Sequence, residues 1–176
     1  MGEVLSRRSV HEGRKIKLYL EKVRLPNGAQ TELEVIEHPG ASTILPFAGK
    51  DEILLIRQHR HCAGGELLEV PAGTLDKGEA PEACALREIE EETGFRAGRL
   101  EPLGWIWTTP GFTNEKIHLF AAFDLTPGKT ERDHDEVIEV ERMSFAEALE
   151  RAARGDITDA KTIATLFRAS RAGFGK

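Results

Sequence analysis

Residues 73–95 read GTLDKGEAPEACALREIEEETGF, and this stretch decides how the rest of the chain is read. Its second half, 79–93, has no internal glycine. Pro81 sits where the first turn tolerates proline, and Gly94 supplies a C-terminal stop, so the pattern predicts a helix over 79–93. At about 100° per residue with Glu88 at 0°, Glu91 falls near 300° and Glu92 near 40°. The three carboxylates therefore share one arc of the helix. Leu86 and Ile89 fall near 160° and 100°, on the side expected to face a core, while Glu90 falls near 200°. Like charges on adjacent turns repel, and the C-terminal end of a helix disfavours anions. Something must offset them. Arg87, four residues before Glu91, is one candidate. A divalent cation is another, because hard oxygen donors at i, i+3 and i+4 can converge on Mg²⁺ or Mn²⁺.

Outward from the helix, apolar and polar residues alternate over 15–24 and 29–37, the period of half-buried strands. Between them Leu25-Pro26-Asn27-Gly28 carries the Asn-Gly hairpin signal. Strands are also predicted over 41–47, 52–58 (with Gly49-Lys50-Asp51 as the turn) and 66–70, ending at Pro71. A Gly-rich loop spans 71–78. Strands near 98–108 and 116–125 flank the turn Thr109–Asn114. A polar loop over 126–136 precedes a short strand at 137–140. Helices are predicted near 145–153 and 158–170, with Ser144 capping the first and Glu147 completing a capping box. The fold class is mixed α/β. Residues 1–40 read as a small antiparallel unit, and 41–176 as the main domain. The small unit has too few apolar residues for its own core and must pack on the rest of the chain or on a second copy.

The chain has 176 residues, 40% hydrophobic, with 30 acidic and 24 basic residues and a net charge of −6. That balance argues against non-specific nucleic-acid binding, which needs a basic surface. It leaves a nucleotide substrate open, since divalent metals can mediate between acidic protein and phosphate. No apolar run is long enough for a transmembrane helix, and the N-terminus lacks the apolar core of a signal peptide. Cys62 and Cys84 stand far apart with no CxxC, which fits a reducing cytoplasm rather than a disulfide framework or a zinc site.

Gly73, Glu79, Arg87, Glu88, Ile89, Glu91, Glu92, Gly94 and Phe95 fit the pattern G-x5-E-x7-R-E-U-x-E-E-x-G-U, where U is a bulky apolar residue. This run resembles the Nudix box, complete and without a gap. The resemblance implies an α/β/α sandwich that binds divalent metal and hydrolyses a nucleoside diphosphate linked to another moiety. It implies a metal face of Glu88, Glu91 and Glu92, with the Ala72 carbonyl as a further ligand. Glu79 and Arg87 would hold loop and helix together. The lead-in Glu69-Val70-Pro71-Ala72-Gly73, Pro110 sixteen residues after Gly94, the run Pro110–Lys116 and Arg57-Gln58-His59-Arg60 resemble the ADP-ribose pyrophosphatases of that family. The N-terminal hairpin fits the same group, whose members exchange such a unit between the subunits of a homodimer.

By the same resemblance, Arg60 contacts a substrate phosphate and Glu115 faces the substrate. Thr74 stands where relatives carry Leu or Met against the terminal ribose. Glu69 either reaches the metal cluster or pairs with a nearby arginine. In the acidic run 133–136, Glu136 matches a metal or base position, while His134 replaces a second glutamate. Two or three Mg²⁺ ions are expected among the Ala72 carbonyl, Glu88, Glu92 and Glu136, with Glu136 or Glu91 orienting the attacking water. The implied reaction is ADP-ribose to AMP and ribose 5-phosphate. Rival readings are a pyrophosphatase for GDP-mannose or FAD, or an ADP-ribose sensor that does not cleave.

Overall fold

The structure, a computed structural model, describes residues 2–131 and 137–175. The acidic run 133–136, with His134 and Glu136, lies outside the described residues. Ten strands are described: β1 Glu3–Glu12, β2 Lys17–Arg24, β3 Gln30–Glu37, β4 Ala41–Pro46, β5 Glu52–Arg60, β6 Gly65–Glu69, β7 Ala72–Thr74, β8 Phe95–Trp107, β9 Lys116–Pro127 and β10 Ile138–Ser144. The α-helices are α1 Pro81–Thr93, α2 Phe145–Ala153 and α3 Ala160–Ala172. The strands form sheets in the orders β1-β2-β3, β10-β5-β6 and β7-β4-β9-β8. Contacts divide the chain into two units: Met1–Gly40 with Trp107–Lys116, and Ala41–Ile106 with Ile117–Lys176.

In the larger unit, β4 (ASTILP) is buried at every position. It runs parallel to β9 and antiparallel to β7. Successive β4 side chains enter different cores, as the two-residue period of a strand requires. Leu45 joins Ile53, Leu55, Val70 and Ala121 in a core completed by Phe145 and Ala148 of α2 and by Leu166 and Ala169 of α3. Ile44 joins Phe120, Ala122, and Ala85 and Ile89 of α1 in the other. The sheet is thus covered by α1 on one face and by α2 and α3 on the other. This layering is the α/β/α sandwich expected from the sequence, and a strand enclosed on both faces reads as a continuous apolar run.

In the smaller unit, β2 and β3 form the expected hairpin around Asn27-Gly28, where Gly28 has φ 85°. The sequence reading did not anticipate β1. It pairs antiparallel with β2, is exposed along its whole length, and shifts register at two places. Its sequence, EVLSRRSVHE, has no sustained apolar alternation, because it buries no face.

Three other differences bear on the site. The predicted loop 71–78 contains β7, whose Ala-Gly-Thr sequence gives no hydrophobic period. Helix α1 begins at Pro81 rather than at 79. Proline is favoured at the first helical position and pushes the preceding residue, here Ala80 at φ −74°, ψ 144°, into extended backbone. Finally, Leu86 is exposed rather than core-facing. The buried residues of α1 are Cys84, Ala85, Glu88, Ile89, Glu92 and Thr93. Their arc is centred near Glu92, so the acidic face and the packed face of the helix largely coincide.

Candidate active site

The centre of the site is the docking of α1 on the turn from β6 into β7. The Ala72 N–H donates to Glu92 Oε2 at 2.9 Å, and Glu92 is only 2% exposed. One residue on, a Cβ built on Gly73 would lie 1.6 Å from Glu88 Oε1. The glycine therefore leaves the space that the Glu88 carboxyl fills. The strand is fixed in turn by β4: Pro71 O accepts from the Ile44 N–H at 2.9 Å and from Thr43 Oγ1 at 3.0 Å. Two enclosed carboxylates one turn apart are thus held against the Ala72–Gly73 backbone.

Arg87 offsets their charge. Its Nη1 donates to Glu88 Oε1 at 2.6 Å and Glu91 Oε2 at 2.9 Å. Its Nε and Nη2 grip Glu79 at 2.9 and 3.0 Å, a two-pronged ion pair. Nη2 also reaches the Thr74 carbonyl at 3.3 Å. These hydrogen bonds raise the Arg87 pKa, those to Glu79 most of all. Reciprocally, Arg87 holds the Glu79 carboxyl down at about 2, helped by the Asp76 N–H. Glu79 itself lies in the loop before α1 and closes it, accepting from Asp76 N–H at 3.0 Å. Cys84, on the same helix, is fully buried, and burial pushes its thiol up to about 12, so it packs rather than reacts.

Glu91 is the most open of the three box carboxylates, with a side chain 31% exposed. It lines a cavity of about 220 Å³ with Arg87, Glu90, Arg96, Lys129 and Glu131. Among the described residues, no three acidic, histidine or cysteine side chains converge on one point as they stand. Glu88 and Glu91 turn to Arg87. The donor set nevertheless fits a hard divalent cation: carboxylate oxygens at helical spacing, two of them enclosed, beside the Ala72–Gly73 backbone.

A second cluster lies at the far end of β5. Arg60 forks onto the buried Glu69, Nε to Oε1 at 2.9 Å and Nη2 to Oε2 at 2.7 Å. Lys161 Nζ adds a contact to Oε2 at 2.5 Å. Burial pushes the Glu69 carboxyl up, but Arg60 and Lys161 outweigh it and hold it below the usual carboxylate range. Of the two sequence alternatives for Glu69, this structure displays the pairing with arginine. Lys161 itself was not anticipated, because it lies 92 residues along the chain on α3. Only the fold brings it here.

Glu115 belongs to the smaller unit. There its Oε2 accepts from Thr108 Oγ1 at 2.7 Å, its Oε1 lies 3.6 Å from His38 Nδ1, and its own N–H donates to Thr113 Oγ1. These contacts bind the turn 108–115 together. Cys62 is exposed in the short 3-10 turn His61–Ala63 between β5 and β6.

The box helix is thus seated on its lead-in against the layered sheet. A family model described as NUDIX domain matches residues 37–166, and the chain belongs to the Nudix family. Hydrolases of this family generally use divalent metal ions. The chain is 38% identical over 162 residues to an ADP-ribose pyrophosphatase of Bacillus subtilis (strain 168), covering 91% of this chain and 88% of that one. It is 41% identical over 136 residues to a GDP-mannose pyrophosphatase of Cronobacter sakazakii (strain ATCC BAA-894), covering 72% and 71%. A solved structure titled "Crystal structure of ADP compounds hydrolase" superposes with a TM-score of 0.84 at 25% identity, covering 97% of this chain and 92% of that one.

Proposed function

We propose that this protein hydrolyses the pyrophosphate bond of ADP-ribose, water adding across the P–O–P bridge to give AMP and ribose 5-phosphate. The observation that carries the reading is the enclosed pair Glu88 and Glu92, seated on the Ala72–Gly73 backbone of a Glu-Val-Pro-Ala-Gly lead-in. The longer alignment with an ADP-ribose enzyme favours that substrate over GDP-mannose.

In this reading Ala72 (through its carbonyl), Glu88, Glu91, Glu92 and Glu136 hold two to three Mg²⁺ or Mn²⁺ ions. When bound, such ions offset phosphate charge and lower the pKa of a coordinated water. Arg60 binds a phosphate oxygen pair with its planar fork. Glu69 lines the substrate site as the partner of Arg60 before the phosphate arrives. Thr74 lies against the ribose end, and Glu115 faces the substrate from its turn. Glu91, the open member of the box, or Glu136 takes the proton of the attacking water. We place the enzyme in the cytoplasm. Among the described residues no helix is long and apolar enough to cross a membrane. We also infer a homodimer that shares the N-terminal unit, supported by the full exposure of β1.

The test is a hydrolysis panel with Mg²⁺ and ADP-ribose, GDP-mannose, FAD and NADH, with products identified. The expected result is preferential turnover of ADP-ribose with AMP released. Glu88→Gln and Glu92→Gln are each expected to lower kcat by about 100-fold or more with the fold retained. Near-wild-type turnover in either variant would overturn the metal-face assignment, and preference for another substrate would overturn the specificity.

A further inference from the structure

Glu69 is 1% exposed and accepts from two cationic side chains, Arg60 and Lys161. The partners differ in freedom. The Arg60 side chain is 38% exposed, and that of Lys161 only 13%. Lys161 is also tethered on its own helix: Nζ lies 3.0 Å from Asp159 Oδ1. Asp159 caps α3 by accepting from the Thr162 N–H at 2.9 Å and Thr162 Oγ1 at 2.6 Å, while Thr162 Oγ1 accepts from the Val70 N–H at 2.9 Å. The N-terminus of α3 is thereby fastened to the chain one residue after Glu69.

Arg60 spends on Glu69 the Nε–Nη2 edge of its fork, the geometry with which a guanidinium also grips a phosphate. The same edge cannot serve both at once. If Arg60 turned away with no other cation at hand, Glu69 would remain as an uncompensated buried charge, a strongly unfavourable state. Lys161 makes its own contact to Oε2, separate from the Arg60 fork.

We propose that Lys161 is a positioning residue: it keeps Glu69 ion-paired so that Arg60 can leave it for the diphosphate of a nucleoside diphosphate ligand. This rests on the reading of Arg60 as a phosphate contact. The apparent dissociation constant is then the intrinsic one divided by the fraction of molecules in which Arg60 is released, and Lys161 sets that fraction.

The experiment is calorimetric titration of the full-length protein with ADP in Mg²⁺ buffer, alongside kcat and KM for ADP-ribose. Lys161→Met is expected to raise the Kd for ADP by about tenfold or more, with KM rising in parallel and kcat within about twofold of wild type. Lys161→Arg restores most of the affinity. Adding Glu69→Gln to Lys161→Met also restores it, because no buried charge then holds Arg60 back; a merely structural role for Lys161 predicts further loss instead. Glu69→Gln alone lowers the Kd, which provides a check independent of whether Lys161→Met folds. An unchanged Kd in Lys161→Met, a loss that persists in the double variant, or no ADP binding by the wild type overturns the proposal. A wild type that binds ADP but hydrolyses no sugar nucleotide overturns the function proposed above, while the Kd comparison still decides the role of Lys161.

Discussion

Gly73 shows how one absent side chain shapes the site. It does not have the positive φ that usually accounts for a fixed glycine. What it provides is space, since any Cβ would collide with the Glu88 carboxyl. Because that carboxyl ends a flexible side chain, Gly73→Ala is expected to displace it rather than unfold the protein. Given the metal role proposed for Glu88, turnover should fall about 10–100-fold, the usual cost of disturbing the support of a metal ligand, while Tm moves by only a few degrees. Parallel kinetics and thermal melts check this, and unimpaired kcat would mean that Glu88 does not work from its present seat. At this scale the sequence was partly legible. Gly73, Glu88 and Glu92 stood out by spacing, and Arg87 was readable as a partner of Glu91. The motif also paired Glu79 with Arg87, as the structure has it, but gave no sign that Arg87 serves Glu88 as well, because residues one apart on a helix do not face each other. Lys161 carried no local signal at all.

Helix α1 has no side-chain cap at Ala80. The two-pronged Arg87–Glu79 pair fastens its start to the preceding loop instead, which makes this element acid-sensitive. The folded pKa of Glu79 is depressed from 4.5 to about 2, so its contribution is fully present above pH 4.5 and is lost as pH falls toward 2. The stability gap between wild type and Glu79→Gln should therefore narrow across that window. Denaturant titrations at stepped pH measure it, and a gap that stayed constant would contradict the assignment. The other two helices are capped conventionally. Ser144 accepts from the Glu147 N–H at 3.1 Å, and Ser144→Ala should cost about 1 kcal/mol. Asp159→Ala should cost more, because that carboxylate also holds Lys161 and Thr162 Oγ1. The start of α2 and the half-buried strands were legible from a cap and from alternation, whereas α1 and α3 begin two residues later than the sequence pattern predicts. β1 and β7 were not: one buries no face and the other is three residues long, so neither imprints a period on its sequence.

Considered as a whole, the chain has a well-covered α/β/α layer and a smaller sheet whose outermost strand leaves Val4, Leu5 and Val10 exposed. Exposed apolar strands are a liability unless something covers them, and the register shifts of β1 only partly blunt this one. A second copy is the proposed cover, so sedimentation should report twice 19.5 kDa. A monomer at micromolar concentration would remove the shared-unit reading. The sequence carries one further practical property. It contains two cysteines, Cys84 sealed in the core and Cys62 in the open turn that follows Arg60. A thiol-reactive dye offered to the folded wild-type protein should therefore attach once per chain, two residues from the guanidinium assigned to the phosphate. Fluorescence at that position could follow ligand arrival in real time without any engineered substitution.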